Sequence, residues 1–284
     1  MTSEVSATSQ SPLIHIRPRP GWRLPELREL WQFRHVMVML SIRDLKVRYK
    51  QTLLGVAWVI IQPLIGAGIF AFVFGGVAGL EAPGEVPYFL FSYVGLLGWN
   101  LFSSLAGRSS STLVGSAQLI QKVYFPRLLI PLSKFSSSLI DFAVGATLLV
   151  GLLLWFWSLP GLAGLAVAVG CAVLFLMFAL GLGLTAGAIS VHYRDVQYLI
   201  PVVLQFLLYA SPVAYAVESV PERYMFFYQL NPLSGLLETF RWGVLGVGEF
   251  QPTLLLYSTG FTVVVFLAGT LFFKRLEASF ADAI

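Results

Sequence analysis

The chain of 284 residues contains few of the residues that build disulfides, metal sites and water-exposed surfaces. Its one cysteine, Cys171, excludes an internal disulfide and a cysteine-cluster metal site. The three histidines (His15, His35 and His192) are widely separated, which argues against a histidine-based metal site. Charged residues make up only 11% of the chain, against about 25% in ordinary soluble proteins. A soluble globular enzyme is therefore excluded.

Motifs for ATP hydrolysis and for common enzymatic reactions are also absent from the sequence. No lysine follows a glycine-rich loop, so this chain carries no P-loop and no ATPase site of its own. We find no carboxylate cluster with metal-ligand spacing and no Ser-His-Asp set at one membrane depth, which disfavours an integral membrane enzyme. The polar N-terminus lacks the apolar core of a signal peptide, and residues 1–24 are predicted to be a disordered cytoplasmic tail.

Long apolar stretches dominate the rest of the chain. Hydrophobic residues account for 57% of it. About 20 apolar residues cross a bilayer as a helix, and in lipid each helix must satisfy its own backbone. The prediction is an all-α integral membrane domain over residues 51–284. Its six transmembrane helices are predicted at about 54–78, 88–112, 131–157, 162–190, 197–216 and 252–273.

The distribution of lysine and arginine predicts the orientation of these helices. Sixteen of the 18 cations lie in segments that six spans would place on one side of the membrane. By the positive-inside rule that side is cytoplasmic, and both termini belong to it. Arg223 and Arg241 remain on the opposite side with six glutamates. The net charge of +4 therefore reflects membrane orientation, and no nucleic-acid partner is expected.

Residues 25–50 mix apolar and basic side chains just before the first span. This pattern predicts an amphipathic interface helix on the cytoplasmic leaflet, attracted by anionic lipid. A simple membrane anchor without a protein partner is the alternative. The charged residues of its second half are Arg43, Asp44, Lys46, Arg48 and Lys50.

The connection between spans 2 and 3 carries apolar residues where a wholly polar loop would be possible. Tyr124 and Phe125 stand beside Lys122 and Arg127. An exposed aromatic pair next to cations indicates a docking element for another protein. The alternative is a helix resting among the lipid headgroups.

The last external loop, 217–252, is split by Asn231-Pro232, because the residue before a proline disfavours helix. Two short apolar helices are predicted at about 222–230 and 233–246. We expect these outer helices to be re-entrant, dipping back into the bilayer or packing against the ends of the spans. Glu238 and Arg241 are three positions apart and can pair on one helix face.

Asp141 is the one acidic residue inside a predicted span. An intramembrane carboxylate is by default a candidate for function. A proton relay needs a second such group, however, and none of the other spans supplies one. The favoured interpretation is a satisfied or water-exposed helix residue.

Five parts of the chain carry a family resemblance. They are residues 43–51 with Leu54-Gly55, Trp58 and Gln62-Pro63-Leu64; Lys122-Val123-Tyr124-Phe125-Pro126-Arg127; Tyr193-Arg194-Asp195-Val196; Ser211-Pro212-Val213 with Tyr215, Asn231-Pro232-Leu233 and Phe240-Arg241-Trp242; and Phe280-Ala281-Asp282. In this order, over roughly residues 25–284, they resemble the type-two ABC exporter permeases for polysaccharides. That family exports O-antigen, teichoic acid, capsule and cell-wall galactan.

The resemblance implies a half-transporter of the bacterial cytoplasmic membrane. Two copies of the chain form the pore as a homodimer, and two copies of a separate ABC ATPase drive it. ATP and Mg²⁺ then belong to the ATPase, and this chain needs no cofactor and no metal. The ATPase-coupling residues implied by the family are Gln121, Lys122, Val123, Tyr124, Phe125, Pro126, Arg127, Tyr193, Arg194 and Asp195. The implied outer gate includes Asn231, Pro232, Glu238 and Arg241.

The implied substrate is a polysaccharide linked to a polyprenyl pyrophosphate or a similar lipid. Aromatic side chains suit a sliding glycan, because they stack on the apolar faces of sugar rings. The channel-lining candidates are Tyr93, Trp99, Gln205 and Tyr209. Arg43, Arg48 and Arg108 are candidates for receiving the pyrophosphate.

Two other transport functions stay open. An ABC permease for a drug or another small hydrophobic cargo would have a similar helical bundle. A proton-coupled carrier or channel would work without an ATPase. Neighbouring genes distinguish the first alternative, and the dependence of transport on ATP hydrolysis distinguishes the second.

Overall fold

The computed structural model describes residues 27–49, 57–123 and 125–280, and in these ranges its regular structure is entirely helical. The α-helices there are α1 (Leu27–Gln32), α2 (Arg34–Tyr49), α3 (Ala57–Phe70), α4 (Tyr88–Gly115), α5 (Ala117–Lys122), α6 (Leu129–Trp155), α7 (Leu162–His192), α8 (Val196–Ala210), α9 (Glu222–Leu230), α10 (Pro232–Leu245) and α11 (Pro252–Leu276). The predicted all-α class is confirmed. The predicted tail 1–24, together with Lys50 and Tyr124, lies outside the described residues.

Five helices in the described ranges are long and apolar enough to cross a membrane. They are α4, α6, α7, α11, and α3 with the π-helical segment Ala71–Val77 that continues it. The predicted span at 197–216 differs, because α8 has only 15 residues. At 1.5 Å per residue it is about 22 Å long, shorter than a hydrocarbon core of about 30 Å. The count of six spans is therefore not confirmed.

The short length of α8 has a local cause. Ser211 follows its last residue and has extended backbone, with φ −114° and ψ 151°. The next residue is Pro212, whose ring disfavours helical backbone at the preceding position. The chain then continues without regular structure to the 3₁₀ turn Val217–Ser219.

Helix α4 occupies the centre of the bundle. Most of its apolar stretch is buried, whereas only a small part of the apolar stretches of α3 and α11 is buried. Its core side chains Leu90, Phe102 and Leu105 are fully buried, and Phe102 stacks on Phe178 of α7 with ring centroids 5.2 Å apart. Helices α3, α6, α7 and α10 pack around α4. This arrangement places the polar residues of α4 in the interior of the protein.

Helices α7 and α11 approach each other through glycine. A Cβ added at Gly269 of α11 would lie 2.3 Å from the carbonyl oxygen of Gly181 of α7. No side chain fits this space, so the close packing requires glycine at position 269. Small residues permit such close contacts between membrane helices, where dispersion forces replace the hydrophobic effect.

A second apolar cluster forms at the end of the bundle to which α2 belongs, which we call the α2 end. It contains Leu40 of α2, Leu113 of α4, and the aromatic residues Phe125, Phe273 and Phe280. The predicted interface helix is divided here into α1 and α2 by a turn at Phe33. Helix α2 is attached to α6, since Ser41 Oγ donates to the carbonyl oxygen of Ser133 at 3.2 Å.

The opposite end of the bundle, the α10 end, contains the two predicted outer helices, α9 and α10. The break between them is at Asn231-Pro232 as expected. The Asn231 side chain caps α10 by accepting a hydrogen bond from the Leu233 N–H at 3.1 Å. Pro232 occupies the first turn, where its missing N–H costs nothing. Most of α10 is buried against α4, α7 and α11.

Candidate functional site

A cavity of about 440 Å³ with charged side chains in its wall lies among α2, α3, α4, α6 and α8. Its lining residues are Arg48, Val59, Gln62, Pro63, Leu97, Trp99, Asn100, Leu101, Ser103, Ser104, Arg108, Ser138, Asp141, Phe142, Gly145, Pro201, Leu204, Gln205 and Leu208. Its wall contains both polar and apolar side chains. An opening of this size inside an apolar bundle is the strongest site candidate in the described residues.

Three charged side chains meet in this cavity. Arg48 Nη1 donates to Asp141 Oδ2 at 2.5 Å, and Arg108 Nη2 donates to the same oxygen at 2.6 Å. The residues come from the last turn of α2, from α4 and from α6. The interpretation of Asp141 as a satisfied helix residue is confirmed. Because two cations share one carboxylate, the cluster has a net charge of +1.

The cavity also contains hydrogen-bond donors in excess. Arg108 Nη1 is buried and has no hydrogen-bond partner in the described residues. Asn100 and Gln205 add side-chain amides to the wall, and Ser104 Oγ donates to Ser138 Oγ at 3.2 Å. A cluster with one carboxylate and this many donors suits an additional anionic or hydroxyl-rich ligand.

Two of the four channel-lining candidates line the cavity, and two do not. Trp99 and Gln205 line the cavity with Arg48 and Arg108. Tyr93 is fully buried inside the bundle, where its hydroxyl donates to the Gly145 carbonyl oxygen at 2.9 Å, so it presents no surface to a channel in this structure. Tyr209 is 62% exposed on α8 and is not among the residues that line the cavity.

Asn100, Ser104 and Ser138 line the cavity but were not selected from the sequence, although Arg108 and Asp141 on the same helices were. Asn100, Ser104 and Arg108 follow one another at intervals of four on α4 and therefore share one helix face. Ser138 and Asp141 are three apart on α6. A search for polar residues at helical spacing within each span would have found both faces.

The charged residues at the start of the chain form a second cluster on α2. Asp44 accepts from Arg43 at 3.0 Å and also pairs with Lys134 of α6. Lys46 is exposed. Only Arg48 of this group lines the cavity.

The predicted coupling segment is partly exposed and partly buried. Gln121, Lys122 and Val123 are exposed at the α2 end. Phe125 is buried at 5% exposure in the apolar cluster of that end, and Pro126 is buried beside it. The expectation of an exposed aromatic pair is therefore wrong for Phe125, because its ring completes the packing between α2, α6 and α11.

Arg127 is fixed by the last turn of the described chain. Its N–H donates to Glu277 Oε1 at 3.1 Å, and its guanidinium donates to the Glu277 carbonyl oxygen. Lys274 Nζ donates to Glu277 Oε2 at 2.7 Å. The guanidinium of Arg127 also lies 6.0 Å from the ring centre of Phe280.

The turn between α7 and α8 lies at the same end. Tyr193, Arg194 and Asp195 are all exposed there. The neighbouring His192 Nε2 is 3.4 Å from Ser279 Oγ, in the same C-terminal segment that contacts Arg127. Both predicted coupling segments therefore adjoin one C-terminal turn.

The predicted outer-gate residues form a buried network at the α10 end. Arg241 is 2% exposed and donates to the carbonyl oxygens of Pro212 at 2.5 Å and Val213 at 3.3 Å. Its guanidinium lies 3.9 Å from the ring centre of Phe91 and donates to Glu238 Oε1 at 3.3 Å. Asn231 Nδ2 donates to Ser211 Oγ at 2.9 Å. This network joins α10 to α4 and to the end of α8.

Burial raises the pKa of Glu238 to about 7. The largest cause is loss of hydration, which favours the neutral carboxyl. Arg241 lowers the pKa and Glu218 raises it, by smaller amounts. Tyr228, which is also buried, has its pKa raised by burial and by the Glu238 charge. The α10 end thus contains a carboxyl group that titrates near neutral pH.

In the described ranges, no group of three or more His, Cys, Asp or Glu side chains is arranged to hold a metal ion.

Comparison with known proteins identifies the class. The model of the family described as ABC-2 type transporter matches residues 35–245, which is more than half of the chain. The chain therefore belongs to this family of transport permeases, and the resemblance found in the sequence is confirmed. It is a multi-pass membrane protein with several apolar helices.

Curated relatives align along nearly their whole length. The O-antigen export system permease protein RfbA of Klebsiella pneumoniae is 29% identical over 259 residues, which cover 88% of this chain and 95% of the relative. RfbA of Myxococcus xanthus is 27% identical, covering 91% and 98%. The polysialic acid transport protein KpsM of Escherichia coli is 23% identical, covering 84% and 92%.

Proposed function

We propose that the chain is the channel-forming subunit of an ATP-driven ABC transporter that exports a lipid-linked polysaccharide across the bacterial cytoplasmic membrane. Relatives named for O-antigen export and polysialic acid transport support the polysaccharide. The observation that carries the proposal is the cavity that combines Arg48 and Arg108 with Trp99 and Gln205. Guanidinium groups suit the pyrophosphate of a carrier lipid, and the aromatic and amide groups suit the sugar next to it.

The proposed assembly contains two copies of this chain and two copies of a separate ABC ATPase. Two exposed segments at the α2 end support the ATPase contact: Lys122 and Val123 at the end of α5, and Tyr193 and Arg194 before α8. The concentration of cations near this end supports a cytoplasmic location for it and for both termini. ATP and Mg²⁺ bind the ATPase, whose closure shifts the pore between closed and open arrangements.

Deletion of the gene in its native host tests the substrate. We expect lipid-linked glycan to accumulate on the inner face of the membrane and to disappear from the cell surface, with recovery on complementation. Unchanged surface glycan would refute the proposal. If drug sensitivity rose instead, the alternative function of a permease for small hydrophobic cargo would replace it.

A second experiment tests the ATPase contact. The chain is co-expressed with candidate ATPases and purified through a tag on this subunit. Lys122→Glu with Val123→Asp alters exposed side chains of the coupling segment and should abolish copurification without changing thermal stability. Arg223→Glu at the exposed start of α9 is the matched control and should leave copurification unchanged. Equal ATPase recovery in all three proteins would remove the docking role from this segment.

A further inference from the structure

Asp141 accepts hydrogen bonds from the two arginines that would otherwise bind a phosphate group. Arg48 and Arg108 approach one oxygen of this carboxylate from different helices, at 2.5 and 2.6 Å. Arginine binds phosphate best through two parallel donors. In the structure these donors converge on Asp141 instead, while Arg108 Nη1 remains without an acceptor in the described residues.

The charges and donors of the cavity fit a phosphate better than they fit Asp141 alone. Two guanidinium groups carry a charge of +2, of which one carboxylate neutralises half. A pyrophosphate ester carries about two negative charges and several acceptor oxygens. It could therefore neutralise both arginines and accept a hydrogen bond from Arg108 Nη1. A neutral sugar would bring no negative charge to these three side chains, whereas a phosphate would bring both the charge and the acceptor oxygens.

We propose that Asp141 is a built-in counter-ion that holds Arg48 and Arg108 in the empty state and is displaced when a lipid-attached phosphate enters the cavity. This inference rests on the proposed function. It adds that Asp141 opposes binding, so that the cavity releases its ligand after transport. Because Arg48 belongs to α2 and Asp141 to α6, the exchange also removes one link between these helices.

The walls of the cavity favour a phosphate that is attached to a lipid. Leu97, Phe142, Leu204 and Leu208 contribute apolar surface next to the charged cluster. Phe206 and Tyr198 on α8 are strongly exposed, so the helix that borders the cavity also has an apolar outer surface. A chain of isoprene units has favourable contacts on such surfaces, whereas a free anion has none.

Binding of inorganic pyrophosphate to the purified full chain tests the counter-ion. Asp141→Asn keeps the shape of the side chain and removes its charge, so we expect at least about tenfold tighter binding, equivalent to about one unit in log Kd. Arg108→Gln should lose binding. If Asp141→Asn bound pyrophosphate no more tightly than the wild type, the proposal would be overturned. Asp141→Ser gives the same test should Asp141→Asn not fold.

Asp44 provides a matched control in the same pair of helices. It is 16% exposed like Asp141 and is also paired with two cations, Arg43 and Lys134, but it does not line the cavity. Asp44→Asn should leave the pyrophosphate affinity within about twofold. An equal gain in affinity for Asp44→Asn and Asp141→Asn would show a general charge effect and would overturn the proposed exchange.

Two further ligands identify the source of the phosphate. Farnesyl pyrophosphate should bind at least as tightly as inorganic pyrophosphate, and farnesol should not bind. Binding of the inorganic ion but not of the farnesyl ester would overturn the lipid attachment. Competition by phosphatidylglycerol at equal concentration would assign the cavity to membrane phospholipid and would overturn the carrier lipid. None of these measurements depends on export, so their failure is distinguishable from failure of the proposed function.

Discussion

Glu277 accepts a hydrogen bond from the Arg127 N–H at 3.1 Å, although 150 positions separate the two residues. The same glutamate binds Lys274 through its other oxygen, and its backbone carbonyl accepts from the Arg127 guanidinium. The C-terminal turn therefore fixes the chain immediately after the predicted coupling segment. A force applied to that segment by an ATPase would reach α11 through this contact.

Glu277→Ala is expected to weaken this connection. It removes the acceptors of one backbone N–H and one ammonium group, at a cost of about 1–2 kcal/mol in the free energy of unfolding. The apparent thermal midpoint should fall, and copurification of the ATPase should decrease. Glu249→Ala, at an exposed position of the α10 end, is the control. Equal midpoints for the two variants would contradict a structural role for Glu277.

Arg241→Met is expected to be strongly destabilising. Arg241 is almost completely buried and donates to two carbonyl oxygens and to Glu238. Its removal should cost about 3 kcal/mol or more, since two buried carbonyl oxygens lose their donor and Glu238 loses its partner. Thermal unfolding in detergent measures the effect. Arg223→Met removes an exposed arginine of α9 and should behave like the wild type; a similar loss in both variants would argue against the network.

Glu238→Gln is expected to change how stability depends on pH. The pKa of Glu238 rises on folding from 4.5 to about 7, so the folded protein holds this proton more tightly than the unfolded chain. The wild-type contribution to stability is then complete below about pH 4.5 and decreases as the pH rises to about 7. Glutamine cannot ionise. The thermal midpoint of the variant should therefore increase relative to the wild type between about pH 5 and about pH 8.

The charged and titratable groups that interact with Glu238 are Arg241 on α10, Glu218 in the 3₁₀ turn, Tyr228 on α9, and Tyr215 between α8 and that turn. The control is Glu249→Gln, whose side chain is exposed. A constant difference in midpoint between Glu238→Gln and the wild type across this pH range would show that Glu238 does not titrate there.

Gly269→Ala is expected to separate α7 from α11. The added Cβ would lie 2.3 Å from the Gly181 carbonyl oxygen, which is backbone and cannot rotate away. Overpacking of this kind costs about 1–3 kcal/mol. Gly260→Ala on the same helix is the matched control, because a Cβ there meets no atom within 4 Å. If both variants unfold at the same temperature, the helices are not in the contact described.

Features that depend on local sequence were predictable. The long apolar stretches determined the class of the protein and the approximate limits of five long helices, because an apolar segment of that length must be helical in lipid. Asn231-Pro232 determined the division between α9 and α10, since proline acts on its immediate neighbour. The family followed from five short segments in the correct order, and the matched family model confirmed it.

The sequence did not predict which side chains line the cavity or are buried, because this depends on the rotation of each helix about its axis and on contacts between distant segments. Tyr93 and Trp99 lie six positions apart on α4, yet only Trp99 lines the cavity. Phe125 was expected on the surface and is buried, because Phe273 and Phe280 from the end of the chain pack beside it.

The sequence by itself determined that this protein is a helical membrane protein, because apolar composition acts locally, and the five family segments identified it as a permease. Only the tertiary structure decided that Arg48 and Asp141, 93 positions apart, share a hydrogen bond in a cavity with Arg108. The reason is physical. Which side of each helix meets its neighbours follows from the packing of all of them together, and no short stretch of sequence contains that information.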